Sequence, residues 1–240
     1  MFNYVFSYFD LAYVAVIIAA VFSIIASVKV KTTFSKYSKI ILASGITGES
    51  AAKIVLDSKG AGSVPVVHVS GNLNDHFDPK SNSISLSDPV FGQTSAAAVG
   101  VAAHEAGHAL QYAEGYFPLK IRNAVVPVTN IASKLSMPLV IAGLLLSSIG
   151  SFFLNIAYIG ILFFSFSVLF QLVTLPTEFN ASRRALKALS ETGYFTSEEL
   201  KCSKKVLSAA AMTYVAATAV AITQFIRLLA LVSSQKGRRR

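Results

Sequence analysis

The sequence predicts a mainly α-helical membrane protein with a small β-hairpin and polar segments set between its apolar runs. Three observations predict it. Hydrophobic residues make up 53% of the chain and charged residues only 14%, against about 25% charged in ordinary soluble domains. The apolar residues are gathered into runs long enough to cross a bilayer, with a mean hydropathy of +0.58. Between the runs, short β-branched or alternating stretches bounded by Gly, Asn and Pro read as strands.

The first apolar run, Leu11 to Val28, carries no charge and at 1.5 Å per residue covers about 27 Å. A cleaved signal peptide needs basic residues ahead of its apolar core, and Met1 to Asp10 has none. Residues 8–30 are therefore read as a transmembrane helix. Lys29, Lys31, Lys36 and Lys39 follow it, which places the N-terminus outside and the next segment in the cytoplasm. The net charge of +9 reads as this topology and as contact with anionic lipid, not as nucleic-acid binding.

Residues 31–135 hold the first polar part. Lys36 to Leu56 reads as an amphipathic helix, broken near Ser44-Gly45, with Thr47 as a cap. Val64 to Val69 is a β-branched strand, Asn74 to Pro79 a polar turn, and Asn82 to Ser87 a second, alternating strand, together a β-hairpin. His68 reads as structural. His76, between Asp75 and Asp78, reads as a hydrogen-bonding residue, with a place beside a metal site as the alternative.

Small apolar residues from Ala96 to Ala103, and the lack of proline from Ser95 to Phe117, predict a helix over 95–113. It carries His104, Glu105 and His108. Four residues is just over one turn, so the two imidazoles stack on one face. That spacing lets both bind one Zn²⁺, with Glu105 in reach of a water beside the ion. Burying three ionisable side chains in an apolar helix is costly without a partner, and a metal removes the cost. Gly107, within the motif, allows close approach on that face.

Lys120, Arg122 and Lys134 mark a return to the membrane, and 136–175 reads as a transmembrane helical hairpin turning near Gly150-Ser151. Residues 176–205 are polar again, with a new helix capped by Thr177 and another opened by Thr196 as a capping box. Arg183, Arg184 and Lys187 put this part on the cytoplasmic side. Residues 206–233 form an apolar helix interrupted by Gln224 and Arg227, and 234–240 a basic tail. Four crossings from an outside N-terminus would leave that tail outside. Three crossings, with 206–233 packed on the polar part, would not.

A catalytic zinc needs a third ligand and an open position. Glu114, Asp88, His76, Glu178, Glu191, Glu198 and Glu199 are the candidates. Glu178 stands out, where the chain re-enters the cytoplasm with Asn180 and Ser182 close by. The single cysteine, Cys202, excludes an intrachain disulfide and a thiolate site.

TSAAAVGVAAHEAGHALQYAEGYFPLKIRN (Thr94 to Asn123), LPTEFNASRRA (Leu175 to Ala185) and the turn Asp75-His76-Phe77-Asp78-Pro79 together resemble the YugP-type neutral zinc metallopeptidases of bacterial membranes. A more distant likeness is to the HtpX and CAAX-prenyl-protease group, in which the third ligand lies in an E-x-x-A-D helix. Here Glu178-Phe179-Asn180-Ala181-Ser182 has Ser182 in place of the aspartate. The resemblance implies a zincin-like domain of the gluzincin class in a bacterial inner membrane. His104, His108 and Glu178 would hold Zn²⁺, and Glu105 would act as base. Ile84, Ser85, Leu86 and Ser87 would be an edge strand that pairs with an extended peptide. Arg183, Tyr214 and Asn180 are candidate oxyanion donors. The function that follows is a membrane endopeptidase acting on peptides or membrane-protein segments. The alternative is a silent scaffold or chaperone-like binder that keeps zinc for structure, and a base beside the ion argues against it.

Overall fold

The computed structural model describes residues 2–237. Its elements, in order, are α1 (Phe2–Tyr37), α2 (Gly48–Asp57), β1 (Val66–His68), β2 (His76–Asp78), β3 (Ser83–Leu86), α3 (Ala96–Ala113), α4 (Phe117–Leu146), α5 (Phe153–Glu191) and α6 (Ser197–Gly237). Residues 238–240 of the predicted basic tail lie outside the described part. The chain forms two compact units: one of residues 1–25, 121–175 and 214–240, the other of 26–120 and 176–213.

The first unit is built from apolar helix. Among the described residues four helices (α1, α4, α5 and α6) are long and apolar enough to cross a membrane, so the 206–233 segment counts among them. On α1, Ala12 and Ala19 are buried while Leu11, Ile18 and Ile24 stay about two-thirds exposed. Such exposure of large apolar side chains is costly in water and costs nothing in lipid. Small residues bring α4 and α5 together. A Cβ on Gly143 would lie 2.3 Å from Ala157 N, and one on Gly160 2.7 Å from Ser136 O. Close backbone approach of this kind is how helices associate where lipid competes for apolar side chains. Leu228 and Val232 of α6 join Val140, Leu154, Ala157 and Ile161 in one cluster. Arg227, the charge in that run, sits 4.8 Å over the Tyr13 ring.

The second unit holds the sheet and α2 and α3. Its core gathers Val55, Leu56, Ile84, Leu86, Val99, Ala102, Ala103, Ala106 and Leu189. Thr47 caps α2 by accepting from Ser50 N. Thr196 and Glu199 form a reciprocal capping box on α6, with Glu199 N donating to Thr196 Oγ1 and Thr196 N to Glu199 Oε2.

Several boundaries differ from the sequence expectation. α1 runs on to Tyr37, and residues 38–47 are not helical. Their backbone bonds instead to the approach to α3, through Leu42 N to Thr94 O and Ala96 N to Ile40 O. α5 passes through Pro176 without a break, and Thr177 is fully buried within it, not a cap. Proline removes only one helical hydrogen bond, and a long packed helix absorbs that loss. The two helices expected after residue 195 are the single α6.

The sheet order is β1-β3-β2, with β1 parallel and β2 antiparallel to β3. The stretch Asn74 to Pro79, expected as a turn, contains β2. The reversal lies one step later, where Asp78 accepts from Lys80 N and Ser81 Oγ and Asn82 takes a left-handed φ of 50°. The Lys80 amide, then the Ser81 hydroxyl, hold the Asp78 carboxyl below its usual range.

Ile84, Ser85, Leu86 and Ser87 are therefore not an edge. Ser85 pairs with Val67 on one side and His76 on the other, and Ile84, Leu86 and Ser87 are fully buried. The β-branched Val66-Val67 supply a second partner that an isolated hairpin would lack. The outer strands are β1 and β2. Asp75 pins the start of β2 by accepting from Ser87 N at 2.7 Å and from Ser87 Oγ at 2.9 and 3.0 Å. Asp75→Ala strands both of those buried donors. It should cost about 1–3 kcal/mol of stability in denaturant or thermal unfolding of the detergent-solubilised protein. A change below about 0.5 kcal/mol would show the clamp to be idle.

Candidate metal centre

α3 starts at the cap Ser95, whose Oγ accepts from Ala98 N at 3.2 Å. From that start, helical spacing places His104 and His108 on one face, their ring centroids 4.7 Å apart and nearly perpendicular. α5 crosses this face at very close range. A Cβ on Gly107 would lie 2.4 Å from Ala181 O, so only glycine lets the two backbones meet there.

That contact brings in Glu178 from 74 residues away. Its Oε2 lies 3.1 Å from His104 Nε2 and 3.5 Å from His108 Nε2, and the carboxylate is buried. The ligand atoms of the three residues all lie within 4.8 Å of one another. Donors about 2.0–2.1 Å from one tetrahedral zinc stand about 3.3 Å apart, so these separations suit such an ion.

The hydrogen bonds around the imidazoles test the same point. Gln111 is fully buried, and its Nε2 donates to Thr177 O at 2.8 Å and Asn180 Oδ1 at 2.9 Å. A backbone carbonyl can only accept, so the amide orientation is set and Gln111 Oε1 must accept from His108 Nδ1 at 3.0 Å. With its proton on Nδ1, a neutral His108 turns the lone pair of Nε2 toward the Glu178 oxygen. His104 Nδ1 lies 3.0 Å from Ser182 Oγ, which can take its proton in the same way. With both protons on Nδ1, two imidazole lone pairs and a carboxylate face one another, an arrangement that suits a cation. Two neutral nitrogens and one oxygen are a zinc donor set.

Glu105 points from the next position on α3 and is half-buried. Its Oε2 accepts from the backbone N–H of Phe77 in β2 at 3.0 Å. The Phe77 ring packs 5.6 Å from that of Tyr112. Thus it is a backbone amide of β2 that hydrogen-bonds the motif's carboxylate, while Ile84 and Leu86 of β3 pack in the core with α3.

The remaining candidates are engaged elsewhere. Asp88 pairs with His68 at 2.7 Å, and the Gly71 amide, then that imidazole, keep its carboxyl below the usual range. His76 is exposed and its Nδ1 meets Asn74 O at 2.8 Å. Glu114 pairs with Arg184, Glu191 with Lys187 and Glu198 with Lys201, while Glu199 serves the α6 cap. Asn180 takes Gln111 and Arg184 on its Oδ1, Arg183 is exposed, and Tyr214 belongs to the other unit. Sequence reasoning passed over Gln111 and the Phe77 amide. Gln111 was findable, since it lies three residues after His108 and seven after His104, on the same helical face. A backbone amide carries no signal in side-chain identity.

Comparison with known proteins agrees with this centre. Residues 12–233 match the family described as "Putative neutral zinc metallopeptidase". The chain is 45% identical over 204 residues to a Bacillus subtilis (strain 168) protein named "Putative membrane protease YugP", covering 85% of this chain and 88% of that one. No solved structure matches. A match across nearly the whole chain, with the family's metal represented by a His–His–Glu cluster, shows that the protein belongs to the neutral zinc metallopeptidase family.

Proposed function

We propose that the protein is a membrane-embedded zinc endopeptidase of the gluzincin type, with its site on the cytoplasmic side. The observation that carries the reading is the convergence of His104, His108 and Glu178 with Glu105 beside them. Zinc bound there would act as a Lewis acid and bring the pKa of a coordinated water far down, toward neutrality. Glu105 would be the group that accepts a proton from the attacking water and gives it to the leaving amine. The Phe77 amide holds the Glu105 carboxylate through one oxygen. Ser182 and Gln111 aim the imidazoles. A base poised in this way has no use in a purely structural zinc site, which favours the enzyme over a silent scaffold.

The sidedness rests on charge. Lys29, Lys31, Lys36 and Lys39 follow the first apolar run, and Arg183, Arg184 and Lys187 follow the run that ends at Leu175. Both flank the two stretches that build the site. The substrate is a peptide or a segment of a membrane protein. The lipid bilayer surrounds the apolar helices.

The test is metal analysis and peptide cleavage on the detergent-solubilised full chain. Wild type should carry one zinc per chain and cleave unstructured peptides. Glu178→Ala should lose the metal while keeping its helical content. Full zinc occupancy in Glu178→Ala would remove Glu178 as a ligand. Zinc without cleavage of any peptide in a diverse library would turn the reading to the scaffold.

A further inference from the structure

We infer that Gln111 is the positioning residue of the metal site, setting the tautomer of one ligand and the register of another with a single amide. This rests on the reading of His104, His108 and Glu178 as zinc ligands.

The amide uses both of its ends. Its oxygen accepts from His108 Nδ1 at 3.0 Å, which leaves Nε2 as the atom that can bind metal. Its nitrogen has two hydrogens and spends both on α5: one on Thr177 O at 2.8 Å, the residue before Glu178, and one on Asn180 Oδ1 at 2.9 Å, two residues after it. Glu178 is therefore bracketed by bonds from the same side chain that orients His108. The residue is fully buried, so water cannot replace any of these bonds.

A longer series stabilises this orientation. Arg184 Nε donates to Asn180 Oδ1 at 2.7 Å, and Arg184 also pairs with Glu114 and lies 5.6 Å over the Tyr116 ring. Asn180 must keep its oxygen toward Gln111 and Arg184, because both present N–H groups. No other residue type offers an acceptor for the imidazole and two donors for α5 at this reach. Glutamate would face Thr177 O and Asn180 Oδ1 with oxygens, methionine would make none of the bonds, and asparagine is one methylene short. On this reading α3 carries four functional positions, 104, 105, 108 and 111.

The test is metal affinity, not turnover. Gln111→Met and Gln111→Glu are purified as full chains in detergent, stripped of metal, and checked for folding by apo thermal unfolding. Zinc affinity is then read by competition with a chromogenic chelator well below each variant's unfolding temperature, and the Co²⁺ form is examined by its visible absorption. We expect zinc affinity to fall about 10–100-fold in Gln111→Met, with a changed Co²⁺ spectrum. We expect Gln111→Glu to show no rescue. Glu198→Ala, an exposed residue of α6 paired with Lys201 and outside this series, should stay within about threefold of wild type. Folded Gln111→Met with wild-type affinity and an unchanged Co²⁺ spectrum overturns the inference, and so does full rescue by Gln111→Glu. His104→Ala separates this failure from that of the site itself. If wild type binds no zinc, or His104→Ala binds it as well as wild type does, the metal reading falls and Gln111 falls with it.

Discussion

Glu105→Gln is expected to keep one zinc per chain and to lose peptide hydrolysis by several orders of magnitude. The substitution preserves shape and takes away only the capacity to accept a proton. General acid–base catalysis by one group is worth roughly 10²–10⁴-fold, and here the same carboxylate both removes and returns the proton, so the loss lies at or beyond the upper end. The amide oxygen can still accept from Phe77 N–H, which at present reaches Glu105 Oε2 at 3.0 Å, so folding and strand position should not change. The measurements are zinc content and kcat/KM on the same preparation. A variant within tenfold of wild type would end the assignment of Glu105 as base, whatever the metal content.

The second large effect is expected at Gly107. Alanine is favoured over glycine inside a helix by about 1 kcal/mol, so propensity alone predicts stabilisation. The structure predicts the opposite. The added Cβ would lie 2.4 Å from Ala181 O, a backbone atom that cannot swing aside. α3 and α5 would have to separate by about 1 Å to restore normal contact, and overpacking of that kind costs about 1–3 kcal/mol. The metal suffers more than the fold. His104 and His108 sit on one of these helices and Glu178 on the other, with ligand distances tolerated to only about ±0.2 Å. Zinc affinity in Gly107→Ala should drop by about 100-fold or more, beyond what loss of one orienting partner costs. Gly107→Val should be worse in both respects. Unchanged affinity would mean that the helices are free to slide apart without moving the ligands.

Both expectations depend on how α3 meets α5, and that is where reading the chain and seeing it folded divide. The apolar runs, the H-E-x-x-H helix with its Ser95 start, and the capping roles of Thr47 and Thr196 were legible in the sequence. Each depends on neighbours within a turn or two, where periodicity and side-chain hydrogen bonding act directly. The third ligand was harder. Seven acidic or histidine residues were chemically suitable, and Glu178 was preferred for its place in the chain and its family likeness. The structure brings it within 3.5 Å of both imidazoles, ties up the other carboxylates in pairs and a cap, and leaves His76 exposed against the Asn74 carbonyl.

The strand assignments show the limit more sharply. Ile84 to Leu86 alternates as an edge strand would, yet it lies between two partners. Alternation reports which faces of a strand are covered, and it says nothing about how many of its edges are paired. The unbroken passage of α5 through Pro176 is similar. Local rules end a helix there, and packing along a long segment overrides them.

What the sequence determined alone was the chemistry available: two histidines and a base on one helical face, a membrane setting, and a single cysteine with no partner for a disulfide. What only the folded chain decided was which distant groups complete the centre. Those choices depend on the contact of a side-chain-free position on α3 with the α5 backbone and on one buried amide, Gln111. Pairings across 66 to 78 residues are set by packing in three dimensions, which the order of residues along the chain does not display.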